Sequence, residues 1–152
     1  MYRFKIISYF VIITALISCE FPDKEYVILL KNQSNHGINS YENRLLTKPI
    51  YPDTLIVETK FVWDIIPGEN FSFTSKKPWE KVFEGLPSDT LSIFIFHTDT
   101  IKNNTWSSII DEYKVLKRYD LSIEDIQLLN YDIPYPPTEV MKDMRMYPPY
   151  EE

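Results

Sequence analysis

From Tyr26 onward, short apolar runs and strict alternations of apolar with polar residues follow one another, separated by turn-forming residues. Tyr26 to Lys31 (YVILLK) is almost continuously apolar, the pattern of a strand covered on both faces. Asn32 to Gly37 (NQSNHG) supplies turn chemistry, and a shorter strand is expected over 38–41. Leu55, Val57 and Phe61 alternate with Glu58 and Lys60, which predicts a strand with one buried and one solvated face. Pro67-Gly68 marks a turn, after which Phe71 and Phe73 alternate with Ser72 and Thr74. Thr90 to His97 (TLSIFIFH) is the strongest strand pattern in the chain and is expected at the centre of a sheet. Tyr113, Val115 and Tyr119 alternate with Lys114 and Arg118, and a last short strand is expected over 131–133. About seven short strands predict a mainly β fold, an antiparallel β-sandwich of immunoglobulin-like or transthyretin-like kind.

Two short helices interrupt this pattern. Trp79, Val82 and Phe83 stand at i, i+3 and i+4 behind Pro78, and Gly85 is placed to stop the helix. Ser122-Ile-Glu-Asp125 has the form of a capping box, with Leu121 and Ile126 as its hydrophobic staple and an end near Asn130. A further turn can follow Thr105, through Trp106 and Ile109. Beyond Tyr135 the chain twice reads Tyr-Pro-Pro, an extended segment expected to lie over its own domain and bury its tyrosines.

The start of the chain reads differently. Arg3 and Lys5 precede an uncharged run from Ile6 to Ile17. As a helix that run would span about 18 Å, short of the about 30 Å of a bilayer core and typical of a signal peptide. Leu16-Ile17-Ser18-Cys19 follows, and here the chain resembles the bacterial lipoprotein signal, or lipobox. The resemblance implies that Cys19 becomes the first mature residue, carries a thioether-linked diacylglycerol, and takes membrane lipid as its partner. With each buried methylene contributing about 0.8 kcal/mol, two or more acyl chains give stable anchoring. The organisation expected is a signal peptide over 1–18, a lipidated tether over 19–25, a sandwich domain over 26–134 and a Tyr/Pro-rich tail over 135–152. Extended at about 3.4 Å per residue, the tether after Cys19 reaches only about 20 Å, which keeps the body near the membrane.

Composition then narrows the chemistry. The 152 residues are 44% hydrophobic, enough for a folded core, but include only 3 Gly, 1 Cys and 2 His. Three glycines cannot build a phosphate-cradling loop, one cysteine cannot form an internal disulfide or a thiolate zinc site, and no HExxH helix exists. No metal and no cofactor is expected. The net charge of −6 argues against nucleic acid. Loss of Arg3 and Lys5 with the leader would bring it to −8, so acyl chains rather than basic residues must hold the membrane. No GxSxG elbow occurs; His36 sits in a polar turn and His97 ends a strand, so neither is expected to be catalytic. Glu124 and Asp125 are adjacent carboxylates, but their place in a first helical turn assigns them to capping.

Three triplets stand out: Asp53-Thr54-Leu55, Asp89-Thr90-Leu91 and Asp99-Thr100-Ile101. Three exceed the about one-half expected by chance, and they resemble the signal at which exported proteins of Bacteroidetes bacteria are O-glycosylated. That resemblance makes Thr54, Thr90 and Thr100 candidate attachment sites, each expected at a turn-to-strand boundary; turn chemistry explains the same residues without a glycan. Residues 113–137, Tyr51-Pro-Asp-Thr54 and Ile93 to Phe96 together resemble a group of small lipoproteins of the same bacteria. No catalytic motif comes with that likeness; it implies a single domain in the cell envelope and nothing finer, and the outer membrane is the location expected of the lipid-anchored chain. Aromatic residues make up 15% of the chain, and Trp63, Trp79 and Trp106 are expected in the core. The function expected is that of a non-catalytic lipid-anchored protein presenting a binding or assembly surface to an envelope protein. The alternative is a carbohydrate-binding surface lipoprotein that uses exposed aromatics.

Overall fold

The computed structural model describes residues 24–43 and 62–151. Cys19, Thr54 and the strand expected at 55–61 lie outside these residues. Among the described residues there are eight strands: β1 (Tyr26–Asn32), β2 (Ile38–Asn43), β3 (Trp63–Ile65), β4 (Asn70–Ser75), β5 (Leu91–His97), β6 (Lys117–Leu121), β7 (Asp132–Tyr135) and β8 (Met146–Tyr147). They form a three-stranded sheet in the order β4-β1-β7 and a five-stranded sheet in the order β3-β2-β5-β6-β8. Four short helices accompany them: α1 (Trp79–Phe83), α2 (Thr98–Asn103), α3 (Trp106–Asp111) and α4 (Ile123–Leu128).

The sandwich expected from the strand count is the observed architecture. Ile28, Leu30, Phe73 and Ile133 of the smaller sheet share one buried cluster with Ile38, Ile65, Ile93, Ile95, Tyr119 and Leu121 of the larger. Each such side chain contributes about 1.5–3 kcal/mol on burial, so this seam dominates the stability. A second, smaller cluster joins Phe94 and Phe96 of β5 to Ile101 of α2 and Ile109 of α3 on the other face of the larger sheet. β5 thus lies between two layers, which accounts for six consecutive buried residues in its unbroken apolar run. β1 does not repeat this, despite its similar composition. Val27 is exposed and Leu29 half-buried, while Ile28 and Leu30 are fully covered, because nothing among the described residues packs on its outer face.

Several features depart from the antiparallel, two-helix expectation. β1 pairs with β7 in parallel, Leu29 opposite Asp132 through Asn32 opposite Tyr135. The alternation from Tyr113 does not become one strand: Tyr113 takes φ 47°, Lys114 N–H bonds the Ile109 carbonyl, and β6 begins only at Lys117. α2 occupies the segment in which Thr100 is expected at a turn-to-strand boundary. Its cap is His97, whose Nδ1 accepts the Asp99 N–H at 3.1 Å, and Ile101 is its buried anchor.

α4 forms as expected. Ser122 Oγ accepts the Asp125 N–H at 3.2 Å, and the Asp125 carboxylate accepts the Ser122 N–H at 2.9 Å. The helix ends at Asn130 in the left-handed region, with Asn130 N–H on the Gln127 carbonyl and Tyr131 N–H on the Ile126 carbonyl. Those two bonds define a Schellman motif, and Asn tolerates the required φ better than most residues. The proline-rich ending is woven into the body. Tyr135 belongs to β7, Met141, Met144 and Met146 are buried, and β8 adds a final strand to β6.

Candidate functional site

The two histidines, 61 positions apart in sequence, meet at one end of the sandwich. Their rings stack at 4.7 Å between centroids and 18° between planes, and Tyr135 stands edge-on to His36 at 6.0 Å. Backbone economy brings them together. Ile38 pairs with His97 across β2 and β5, and Thr98 N–H bonds the Gly37 carbonyl. Gly37 must be glycine here, since a Cβ would lie 2.8 Å from Thr98 Oγ1. The turn itself is tied down by Asn32, whose amide donates to the carbonyls of His36 and Ile65 at 2.9 Å each. Burial raises the Tyr135 pKa above the ordinary tyrosine range. His97 also caps α2, and among the described residues no group of three metal-ligating side chains includes the pair.

A second polar group lies on the face of the larger sheet away from the main core, the face that carries Phe94. Arg118 is 1% exposed, its Nε 2.9 Å from the Asp120 carboxylate, and Ser92 Oγ donates to the same carboxylate at 2.5 Å. The β5–β6 register places Ser92 opposite Asp120 and Phe94 opposite Arg118, so the guanidinium lies 5.2 Å from the Phe94 ring centre. Burial pulls the Arg118 pKa down, but the Tyr113 oxygen and the Asp120 carboxylate outweigh it and hold the group above its ordinary value. A buried pair of this kind is costly to break and fixes one packing arrangement. A hollow of about 30 Å³ beside it, lined by Ser88, Thr90 and Arg145, has room for little more than a water molecule.

The tryptophans divide. Trp79 is 1% exposed and belongs to the core, Trp106 is half-buried against Phe96, and Trp63 is 57% exposed, contrary to the expectation that all three are core residues. β3, at the edge of its sheet, presents Trp63; β4, the edge of the other sheet, presents Phe71. The indole stacks on Phe71 at 5.2 Å and 21°, and Phe71 meets the buried Phe73 edge-on at 5.0 Å. A chain of three rings therefore runs from solvent to core. Beside it opens a groove of about 510 Å³, lined by Glu42, Trp63, Phe71, Ser72, Phe73 and Thr74. Its size is that of a small-ligand site.

No family model matches the chain, and no curated protein or solved structure does.

The remaining predicted residues have settled places. Thr90 directly precedes β5, at the end of a 3-10 turn over Pro87–Asp89, and its hydroxyl donates to the Ser88 carbonyl at 2.8 Å. It meets the turn-to-strand expectation. Thr100 does not: it lies within α2, half-buried, and its carbonyl accepts from Asn104. Glu124 and Asp125 occupy the first turn of α4, where Asp125 is committed to the capping box. The groove residue that sequence reasoning misplaced is Trp63. Strand alternation gave no signal for this, since Trp63 shares a face with the buried Ile65; its exposure follows from the place of β3 at the sheet edge.

Proposed function

We propose that the protein is a non-catalytic, lipid-anchored protein of the cell envelope that presents the Trp63 side of its sandwich as a binding surface. The observation that carries this reading is the indole itself: a tryptophan 57% exposed, braced by Phe71 and Phe73, offers a rigid contact at little ordering cost. The basic start, uncharged run and Ser18-Cys19 sequence support the anchor. β1 begins at Tyr26, seven positions after Cys19, so that end of the sandwich faces the membrane.

The Asp-Thr triplets are read as attachment signals for O-linked sugar, with Thr90 favoured over Thr100 by its boundary position. Mass spectrometry on protein from its native host tests anchor and modification together. An N-terminal peptide that begins at diacylglyceryl-modified Cys19 supports the anchor, and an unmodified, uncleaved N-terminus overturns it. A body mass equal to that of the unmodified polypeptide leaves turn chemistry as the whole explanation of the triplets.

A further inference from the structure

We infer that the stacked His36 and His97 form an acid-sensitive latch, which holds the turn between β1 and β2 against the start of α2 only while the pair carries at most one proton. The partners fix where the protons sit. Asn35 Oδ1 can only accept, so its 3.2 Å contact with His36 Nδ1 places a proton on Nδ1 and leaves Nε2 bare. That Nε2 is buried and has no hydrogen-bond partner among the described residues. His97 Nδ1 accepts the Asp99 N–H at 3.1 Å, so it carries no proton either. Charging His36 would bury a new N–H with nothing to accept it, and a proton on His97 Nδ1 would break the α2 cap. Charging both would set two imidazolium rings against each other at the 4.7 Å of the stack.

The surrounding groups relieve this for one ring and not for the other. The Asp99 carboxylate lies 3.6 Å from His97 Nδ1, so the first proton goes to His97 and trades the cap for a largely exposed ion pair. From β3, Asp64 accepts the Thr98 hydroxyl at 3.1 Å. From β7, Tyr135 stands edge-on to His36 as a phenol that stays neutral in this range. Glu69 reaches the turn through its backbone carbonyl, which accepts the Asn32 N–H at 2.9 Å. Among the described residues no carboxylate is within ion-pair distance of His36. The folded pair therefore takes one proton where the unfolded chain takes two. As pH falls below about 6.5, the ordinary imidazole value, the folding equilibrium constant should drop about ten-fold per pH unit, the linkage of a single proton. Opening begins locally. The stack, the cap and the Thr98–Gly37 hydrogen bond are lost together, which leaves α2 held by its one buried residue, Ile101.

The chain has two histidines, so each can be read directly. The full chain in a neutral detergent, isotope-labelled at histidine, is titrated by NMR from about pH 8 to 5, and hydrogen exchange is followed over the same range. At neutral pH His36 should show the Nδ1–H tautomer. Between about pH 6.5 and 5 the amides of residues 98–103, corrected for intrinsic exchange, should lose protection about ten-fold or more, ahead of those of β5. H36F keeps a ring to stack on His97 and takes no proton, so its loss of protection over that range should be at most about two-fold. H36Q, equally unable to charge, makes the same comparison if the phenylalanine does not fold. Charging of both imidazoles with protection at 98–103 unchanged overturns the latch. So does an Nε2–H tautomer of His36, or acid sensitivity in H36F and H36Q as steep as in the parent.

Discussion

The Asp120 carboxylate accepts from both Arg118 and Ser92, and all three residues are nearly fully buried on the Phe94 face of the larger sheet. Asp120→Ala would leave a fully buried guanidinium without its carboxylate and should cost about 3–5 kcal/mol, read from urea unfolding. Asp120→Asn should cost less, because the amide still accepts from Ser92 and Arg118. Tyr119, fully buried with its hydroxyl donating to the Pro134 carbonyl at 3.0 Å, bridges the two sheets. Burial raises its pKa well above the ordinary tyrosine value, with the neighbouring Tyr135 adding to the effect. A phenol whose folded pKa is raised stabilises the fold below the unfolded value and loses that contribution as pH climbs through the folded one. Stability should therefore hold at neutral pH and fall above about pH 10, with part of the tyrosinate absorbance appearing only as the protein unfolds. Tyr119→Phe should cost about 1 kcal/mol at neutral pH and soften the alkaline loss.

At the scale of elements, the well-formed ones are those whose signals are local. The capping box of α4, its Leu121–Ile126 pair and its Asn130 terminus were all legible, since each depends on residues within one turn. Ser122→Ala removes one partner of a reciprocal cap and should cost about 1 kcal/mol, measurable as a shift in thermal midpoint. α2 was not legible, because its cap is a histidine and its anchor is the single Ile101, buried only by the sheet beneath it. The alternation from Tyr113 misled for a related reason. Tyr113 and Val115 do pack on the Phe94–Phe96 cluster, yet as part of a turn that returns the chain to the sheet at β6.

The whole molecule depends on its last fifteen residues more than a Tyr/Pro composition suggests. Met141, Met144 and Met146 enter the main core, the Asp120 N–H bonds the Arg145 carbonyl, and Lys117 Nζ donates to the Pro148 carbonyl at 2.8 Å. β8 also covers the edge of β6. A chain ending after Pro137 would lose three buried methionines, each worth about 1.5–3 kcal/mol, and expose an unpaired strand edge. Such a truncation should expose enough apolar surface to aggregate or bind a hydrophobic dye, whereas removal of Glu151 and Glu152 should leave the melting curve unchanged.

Periodicity, turn residues and caps determined by themselves that this chain is a β-rich sandwich, that the run from Leu91 to Phe96 is its central strand, and where α1 and α4 begin and end. They act over two to five residues, the range in which backbone geometry is set. Only the tertiary structure decided which apolar strands are covered on both faces. Both β1 and β5 read as double-faced, but only β5 has helices packed on its second side. The same holds for the parallel β1–β7 pair, the meeting of His36 with His97, the burial of Arg118 and the exposure of Trp63. Each depends on residues tens of positions apart being brought into register, and one-dimensional pattern carries no record of which face a distant segment will cover.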